Sequence, residues 1–248
     1  MTGVEPVWGV VPGRMGSSRL PGKTMAELAG RPSLAHIVDR LRGVEGLSGV
    51  IVATTTEPED DAIRECAESV GVPCYSGSAE DVLERTLEAA RSVGAETIVN
   101  VNGDSPLVDP AIVERVLEAY VRARPDYASN RLGGYRYPVG MDVEVYPTRL
   151  LASIEPVARD PRDREHVTLY VYEHPERFEL LNVEPKGRHQ RPDLRLTLDT
   201  ADDLRLIRKI YGALDAEEPC FGLDRVLDLL DRRPAIERVN RDVVQRVP

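Results

Sequence analysis

Val10-Val-Pro-Gly-Arg-Met-Gly-Ser-Ser-Arg-Leu-Pro-Gly-Lys23 follows directly on an apolar run that begins at Val7. The run Val7 to Val11 reads as a buried first strand, and Pro12 to Lys23 reads as the loop at its end. Three glycines let backbone N–H groups approach a ligand closely, and Arg14, Arg19 and Lys23 add positive charge. At a strand end in an α/β protein, such a loop suits a phosphate chain.

Two familiar phosphate loops fail on spacing. The pattern G-x-x-x-x-G-K-[ST] nearly fits Gly16 to Thr24, but the glycines are one residue too far apart, and Pro21 removes an N–H that a phosphate cradle would use. The dinucleotide fingerprint G-x-G-x-x-G does not fit Gly13, Gly16 and Gly22. A merely solvated basic loop is the plain alternative. The rest of the chain argues against it, since the formal net charge is −10 and this loop runs against that balance.

The 248 residues, 42% of them hydrophobic, suit one large α/β domain with a full core and a small appended lobe. An acidic chain without a basic face argues against nucleic-acid binding. Cys66, Cys74 and Cys220 form no C-x-x-C pair and no metal pattern with the four histidines, so they read as thiols of a reducing compartment. No signal-peptide pattern and no apolar run of membrane-spanning length is present. A cytoplasmic protein without membrane partners is expected.

The first half alternates. Helix is predicted around Ser33–Arg42, Glu59–Val70, Ala79–Val93 and Pro110–Ala123, and strand over Val50–Thr54, Pro73–Tyr75 and Thr97–Val101. That rhythm predicts βαβ crossovers and a mostly parallel sheet flanked by helices. Ligands then sit at the carboxyl ends of the strands, where the basic loop and Gly103–Pro106 both fall. The second half is less regular, with strands predicted at Asp142–Tyr146, Phe178–Val183 and Leu194–Leu198. Helices are predicted at Arg149–Ile154, at Arg164–Tyr172 and from Thr200 onward. The stretch from about Arg131 to Arg191 reads as an insertion over the sheet edge, touching substrate or a second subunit.

Further motifs carry candidate chemistry. Asn100-Val-Asn-Gly-Asp-Ser-Pro106 puts Asp104 at the sheet's carboxyl edge, facing the loop or capping the next helix. In Leu196-Thr-Leu-Asp-Thr-Ala-Asp-Asp-Leu204, Asp199 ends a strand and Thr200 opens a helix, with Asp202 and Asp203 placed as cap residues. Asp142 and Glu144 share a face by period 2, as an acceptor pair for hydroxyls or as part of a solvated edge. Arg164, Glu165 and His166 are consecutive, so on a helix they cannot all face one ligand. Ser78 begins the turn before a predicted helix and can cap it.

Taken in order, these motifs resemble the sugar-activating cytidylyltransferases: the CMP-KDO synthetases, the acylneuraminate cytidylyltransferases and, closest in wording, the spore-coat polysaccharide branch. Arg14, Ser17, Arg19, Pro21, Gly22 and Lys23 match that family's loop in order, while Gly13 stands where an alanine is expected. The resemblance implies a Rossmann-like sheet of the nucleotide-diphospho-sugar transferase type, with a small inserted lobe. It implies that Pro12, Gly13, Arg14, Gly16, Ser17, Arg19 and Lys23 wrap the triphosphate of CTP, with Ser78 and Asn102 beside the nucleotide. Asn102 takes a position often filled by Gln. Arg14, Lys23 and Asp104 are then the catalytic set, Asp104 and Asp199 the ligands of Mg²⁺, and Asp142, Glu144, Arg164, Glu165 and His166 the acceptor side. The implied reaction joins CMP to a sugar, a 3-deoxy-2-keto sugar acid foremost, releasing pyrophosphate, in a homodimer paired through residues 131–191. A nucleotidyltransferase on a sugar phosphate or phosphonate shares the loop. A glycosyltransferase of the GT-A type would want an Asp-x-Asp at a strand end, which is absent.

Overall fold

Val10 and Val11 are adjacent in sequence and both fully buried, yet they feed opposite faces of one sheet. The strand that carries them, β1 (Val7–Pro12), lies inside a seven-stranded sheet. The protein is described here by a computed structural model covering residues 6–215 and 220–245.

After the basic loop, a small antiparallel ribbon, β2 (Glu27–Leu28) and β3 (Arg31–Pro32), leads into α1 (Ser33–Arg42). Then β4 (Gly49–Thr55), α2 (Asp61–Ser69), β5 (Cys74–Gly77), α3 (Val82–Ser92), β6 (Thr97–Asn100) and α4 (Pro110–Ala123) alternate as the sequence pattern predicts. The second half adds β7 (Tyr127–Ser129), β8 (Glu144–Pro147), α5 (Thr148–Ile154), α6 (Pro161–Glu165), α7 (Leu169–Glu173) and β9 (Leu180–Asn182). The chain ends with the helices α8 (Ala201–Leu214), α9 (Leu223–Arg232) and α10 (Pro234–Glu237) among its described residues.

The sheet order is β5-β4-β1-β6-β8-β7-β9. The chain works outward from β1 to β4 and β5, then returns to the other side of β1 with β6. This reversal opens a crevice at the carboxyl ends of β1 and β6. Only β8 among the seven runs against its neighbours. Its direction matters, because the amino end of a reversed strand lies beside the carboxyl ends of the others. Asp142 reaches the crevice for that reason. Glu144, also expected on the acceptor side, instead lines a neighbouring cavity with Tyr127 and Tyr172, its oxygens taken by Asn100 and Thr168.

Helices α1, α4, α8 and α9 cover one face through Leu34, Ile37, Leu41, Val113, Ile207, Ile210 and Leu227. Helices α3 and α5 cover the other through Leu83, Leu87, Leu151 and Ile154. Burying these side chains supplies roughly 1.5–3 kcal/mol each.

The second half departs from the sequence reading in four places. The single helix expected over Arg164–Tyr172 is two short ones, α6 and α7. Val167 between them has a φ of 52°, and the Thr168 N–H donates to the His166 carbonyl at 2.5 Å. A β-branched residue in that conformation is strained, and it breaks the helix at the edge of the crevice. The strand expected at Leu194–Leu198 is an extended segment joined to Val139 by one isolated bridge at Arg195. β7 has only three residues, too few for a pattern to register. Finally, the stretch 131–191 is not wholly an edge insertion, since β8 stands between β6 and β7 with Val143 and Val145 fully buried.

Candidate active site

The amino end of the basic loop is held twice. Gly13 N–H donates to the Ala53 carbonyl at 3.1 Å, and Met15 N–H donates to the Asp60 carboxylate at 2.7 Å. Asp60 is itself buried and also accepts from the backbone and hydroxyl of Thr55. Within the loop, the Met15 carbonyl accepts from Ser17 N–H at 2.8 Å and Gly22 N–H at 2.9 Å, with Gly22 at a φ of 74° that favours glycine. The Thr24 hydroxyl closes back onto the Arg14 carbonyl at 3.0 Å. This folding turns Lys23 inward.

Gly103 presses the second motif against the first. Its N–H donates to the Pro12 carbonyl at 3.0 Å, and a Cβ there would stand 2.5 Å from that oxygen. The third motif is tied in by Leu198 N–H and the Thr197 hydroxyl, which reach the Asp104 carbonyl at 2.8 and 3.1 Å. Gly140 lets this segment approach, since a Cβ on it would meet Thr197 N at 2.7 Å.

Three distant motifs therefore converge on one ammonium. Lys23 Nζ donates to Asp104 Oδ2 at 2.8 Å and to Asp199 Oδ1 at 2.7 Å. Arg19 reaches the same Asp199 Oδ1 at 2.8 Å, and Arg195 holds Asp199 Oδ2 at 2.7 Å from behind. Burial alone would push the Lys23 ammonium down, but Asp104 and Asp199 outweigh it and hold Lys23 above its ordinary value. Burial would likewise raise the Asp199 carboxyl, yet Lys23, Arg19 and Arg195 bring it below the usual range.

Behind this cluster lies support that the sequence reading missed. Asp203, placed there as a cap, does complete a capping box with Thr200. It is also fully buried and accepts from Arg195 Nε at 2.9 Å, Arg195 Nη2 at 3.1 Å and Asn240 Nδ2 at 2.8 Å.

A cleft of about 390 Å³ opens beside the cluster. Arg19, Asn102, Asp104 and Asp199 line one side of it; Arg131, Tyr135, Asp142, Glu165 and His166 line the other. Arg131 Nη1 stands 3.8 Å from Asp142 Oδ2. Burial pushes the Asp142 carboxyl up to about 7 against the pull of Arg131, with Glu144 and Asp104 adding to the rise. Burial also raises Glu144, which accepts from Asn100 Nδ2 at 3.2 Å and the Thr168 hydroxyl at 3.1 Å. Burial lowers the His166 imidazole, although Glu165 works the other way.

Other expected site residues stand apart from the lysine cluster. Arg14 donates to the Ala79 carbonyl at 3.0 Å and so points to the turn before α3. Ser78 does not cap α3; its hydroxyl accepts from Glu80 and Asp81 N–H at 3.2 and 3.1 Å, and Asp81 is the helix cap. Gly16 and Ser17 remain on the loop, Ser17 Oγ accepting from Leu20 N–H at 3.4 Å. Arg164 needs correction as an acceptor residue. Its guanidinium lies between Asp81 at 3.3 Å and Glu155 at 3.0 Å, off the cleft wall, because the broken helix sends it toward α3 and α5. Arg131, rather than Arg164, lines the cleft.

Among the described residues no group of three or more His, Cys, Asp or Glu could hold a metal by itself. Two hard carboxylate oxygens gathered on one ammonium nevertheless fit Mg²⁺, which keeps waters and takes one or two carboxylates plus substrate phosphates. Asp104 and Asp199 are the residues that would hold it.

A cationic loop facing paired carboxylates at the switch point of such a sheet is the arrangement of a nucleotide-handling transferase. The chain belongs to the cytidylyltransferase family, whose profile matches residues 8–224. It is 30% identical over 230 residues to the spore coat polysaccharide biosynthesis protein SpsF of Bacillus subtilis, covering 91% of this chain and 94% of that one. It is 28% identical to a 3-deoxy-manno-octulosonate cytidylyltransferase of Geobacter sulfurreducens, over 89% of this chain and 98% of that one. A cytidylyltransferase structure from Leptospira borgpetersenii superposes with a TM-score of 0.89 at 28% identity, covering 99% of this chain and all of that one. The protein is thus a nucleotidyltransferase, and among its described residues no helix is long and apolar enough to cross a membrane.

Proposed function

We propose that this protein transfers CMP from CTP to a hydroxyl of a sugar acid of the 3-deoxy-2-keto class, with Mg²⁺, releasing pyrophosphate in the cytoplasm. The observation that carries the reading is Lys23, a loop cation bonded to both Asp104 and Asp199 at the mouth of a polar cleft. Family membership supports the nucleotide, and a relative named for 3-deoxy-manno-octulosonate supports the acceptor class.

In this reading Lys23 and Arg19 take the triphosphate and neutralise the leaving pyrophosphate, with Arg14 at the outer end of the loop. Bound Mg²⁺ on Asp104 and Asp199 supplies charge neutralisation at the α-phosphate. Arg131 faces the acceptor carboxylate, because a guanidinium fork suits a planar anion. Asp142 accepts from sugar hydroxyls and orients them, with Glu144 behind it bracing Asn100 and Thr168, so catalysis is mostly positioning and electrostatics. Ser78 and Asn102 stand beside the nucleotide.

The test is pyrophosphate release from each of the four nucleoside triphosphates against sugar acids, sugar 1-phosphates and phosphonates. CTP with a keto sugar acid is the expected pair. Release with a phosphate acceptor alone would move the protein to the other acceptor class, and equal use of ATP would overturn the choice of nucleotide.

A further inference from the structure

Two carboxylates and three cations make up the cluster at the end of β1. Asp104 and Asp199 face Lys23, Arg19 and Arg195 at 2.7 to 2.8 Å. Asp203, which holds Arg195 from behind, brings the carboxylates to three, so the cluster has no net negative charge with which to draw a free divalent cation.

The three cations are not equivalent. Arg195 belongs to the wall: its side chain is 6% exposed and Asp203 holds it through two nitrogens. Lys23 and Arg19 come from the loop, with side chains 15% and 28% exposed. Both meet Asp199 at Oδ1, while Arg195 keeps Oδ2. The oxygen left for a metal is thus the one the two loop cations cover, and Lys23 covers Asp104 Oδ2 as well.

We propose that Lys23 and Arg19 lock the metal seat, so that a divalent cation gains the carboxylate pair only when a triphosphate draws both side chains onto its oxygens. The proposal rests on the reading of the loop as a triphosphate cradle. A triphosphate adds several negative charges, turning the balanced local field negative, as it removes the two covering groups. Metal and nucleotide then bind cooperatively, and by linkage each raises the affinity for the other.

The experiment measures Mn²⁺ binding alone, by calorimetry and by the resonance signal of free Mn²⁺, with no acceptor present. Wild type should bind Mn²⁺ weakly. Lys23→Met should bind it at least tenfold more tightly, and Lys23→Met with Asp199→Asn should lose that gain. Arg19→Gln, a change at a more exposed side chain, should gain less and serves if Lys23→Met fails to fold. A folded Lys23→Met or Arg19→Gln protein that binds Mn²⁺ no better than wild type overturns the lock. CTP titrated without metal separates the two readings. If CTP binds and neither variant gains metal affinity, the lock fails and the cradle stands; if the variants gain metal affinity and CTP does not bind, the cradle fails and the lock stands.

Discussion

Lys23 Nζ and Asp199 Oδ1 are 2.7 Å apart although 176 residues separate them in the chain. Nothing local makes this pair. It needs the loop folded onto Asp60, Gly103 without a side chain against Pro12, and Asp199 gripped from behind by Arg195. The candidate site is the meeting point of two strand ends and an extended segment, and each is set by a contact made far from it in sequence.

Asp104→Asn should lower turnover at least a hundredfold, about 3 kcal/mol, with the fold unchanged. An amide is a poorer ligand for a hard cation than a carboxylate. Steady-state pyrophosphate release and circular dichroism check this together; near-native turnover would leave Asp104 as a partner of Lys23 only.

Gly103→Ala tests the close approach of the two motifs. The added Cβ would stand 2.5 Å from the Pro12 carbonyl oxygen, which is backbone and cannot swing away. Overpacking of this kind costs about 1–3 kcal/mol. Thermal unfolding should show a lower midpoint, and turnover should fall further than stability alone explains, because Asp104 moves with the turn.

Much of this is legible in the sequence, and the rest is hidden for physical reasons. The loop and the Gly-Asp turn are visible because each sits at a strand end within a short motif, and Asp199 because it directly precedes the Thr200 cap of α8. Helices α1 and α4 can be read to the residue because their apolar spacing is regular. Arg195, Asn240 and Asp60 escape such a reading, since buried polar groups satisfied by single specific partners leave no periodic signal. Arg164 stands off the cleft for a local reason. The strained turn at Val167 divides a helix that pattern reading runs through, and it carries Arg164 toward Asp81.

The carboxyl of Asp142 makes stability depend on pH. Its value in the folded protein is raised from 3.8 to about 7, so between these values the native state binds the extra proton. Stability from this group is therefore lost as pH rises through that window, by at most about 4 kcal/mol. Urea unfolding of Asp142→Asn should show a larger gain over wild type at pH 8 than at pH 5. An equal difference at both values would remove Asp142 as the source.

Residues 131–191 should carry a homodimer contact, as the resemblance to lobe-paired cytidylyltransferases implies. Light scattering at micromolar concentration should give twice the 27.5 kDa chain mass, and a monomer there would contradict it.

The two arginines give a paired test of the acceptor side. Arg131 lines the cleft 3.8 Å from Asp142, whereas Arg164 sits between Asp81 and Glu155. Arg131→Ala should raise the acceptor KM tenfold or more, about 1.4 kcal/mol, and leave the Kd for CTP nearly unchanged. Arg131→Lys should recover only part of that loss, because an ammonium keeps the charge but not the fork. Arg164→Ala should do the reverse: it leaves two carboxylates without their shared cation, so unfolding becomes easier while acceptor KM barely moves. If Arg164→Ala instead raised the acceptor KM and Arg131→Ala did not, the acceptor would enter from the α3 side. If both lowered CTP affinity, neither would belong to the acceptor, and the sugar-acid reading would lose its cation.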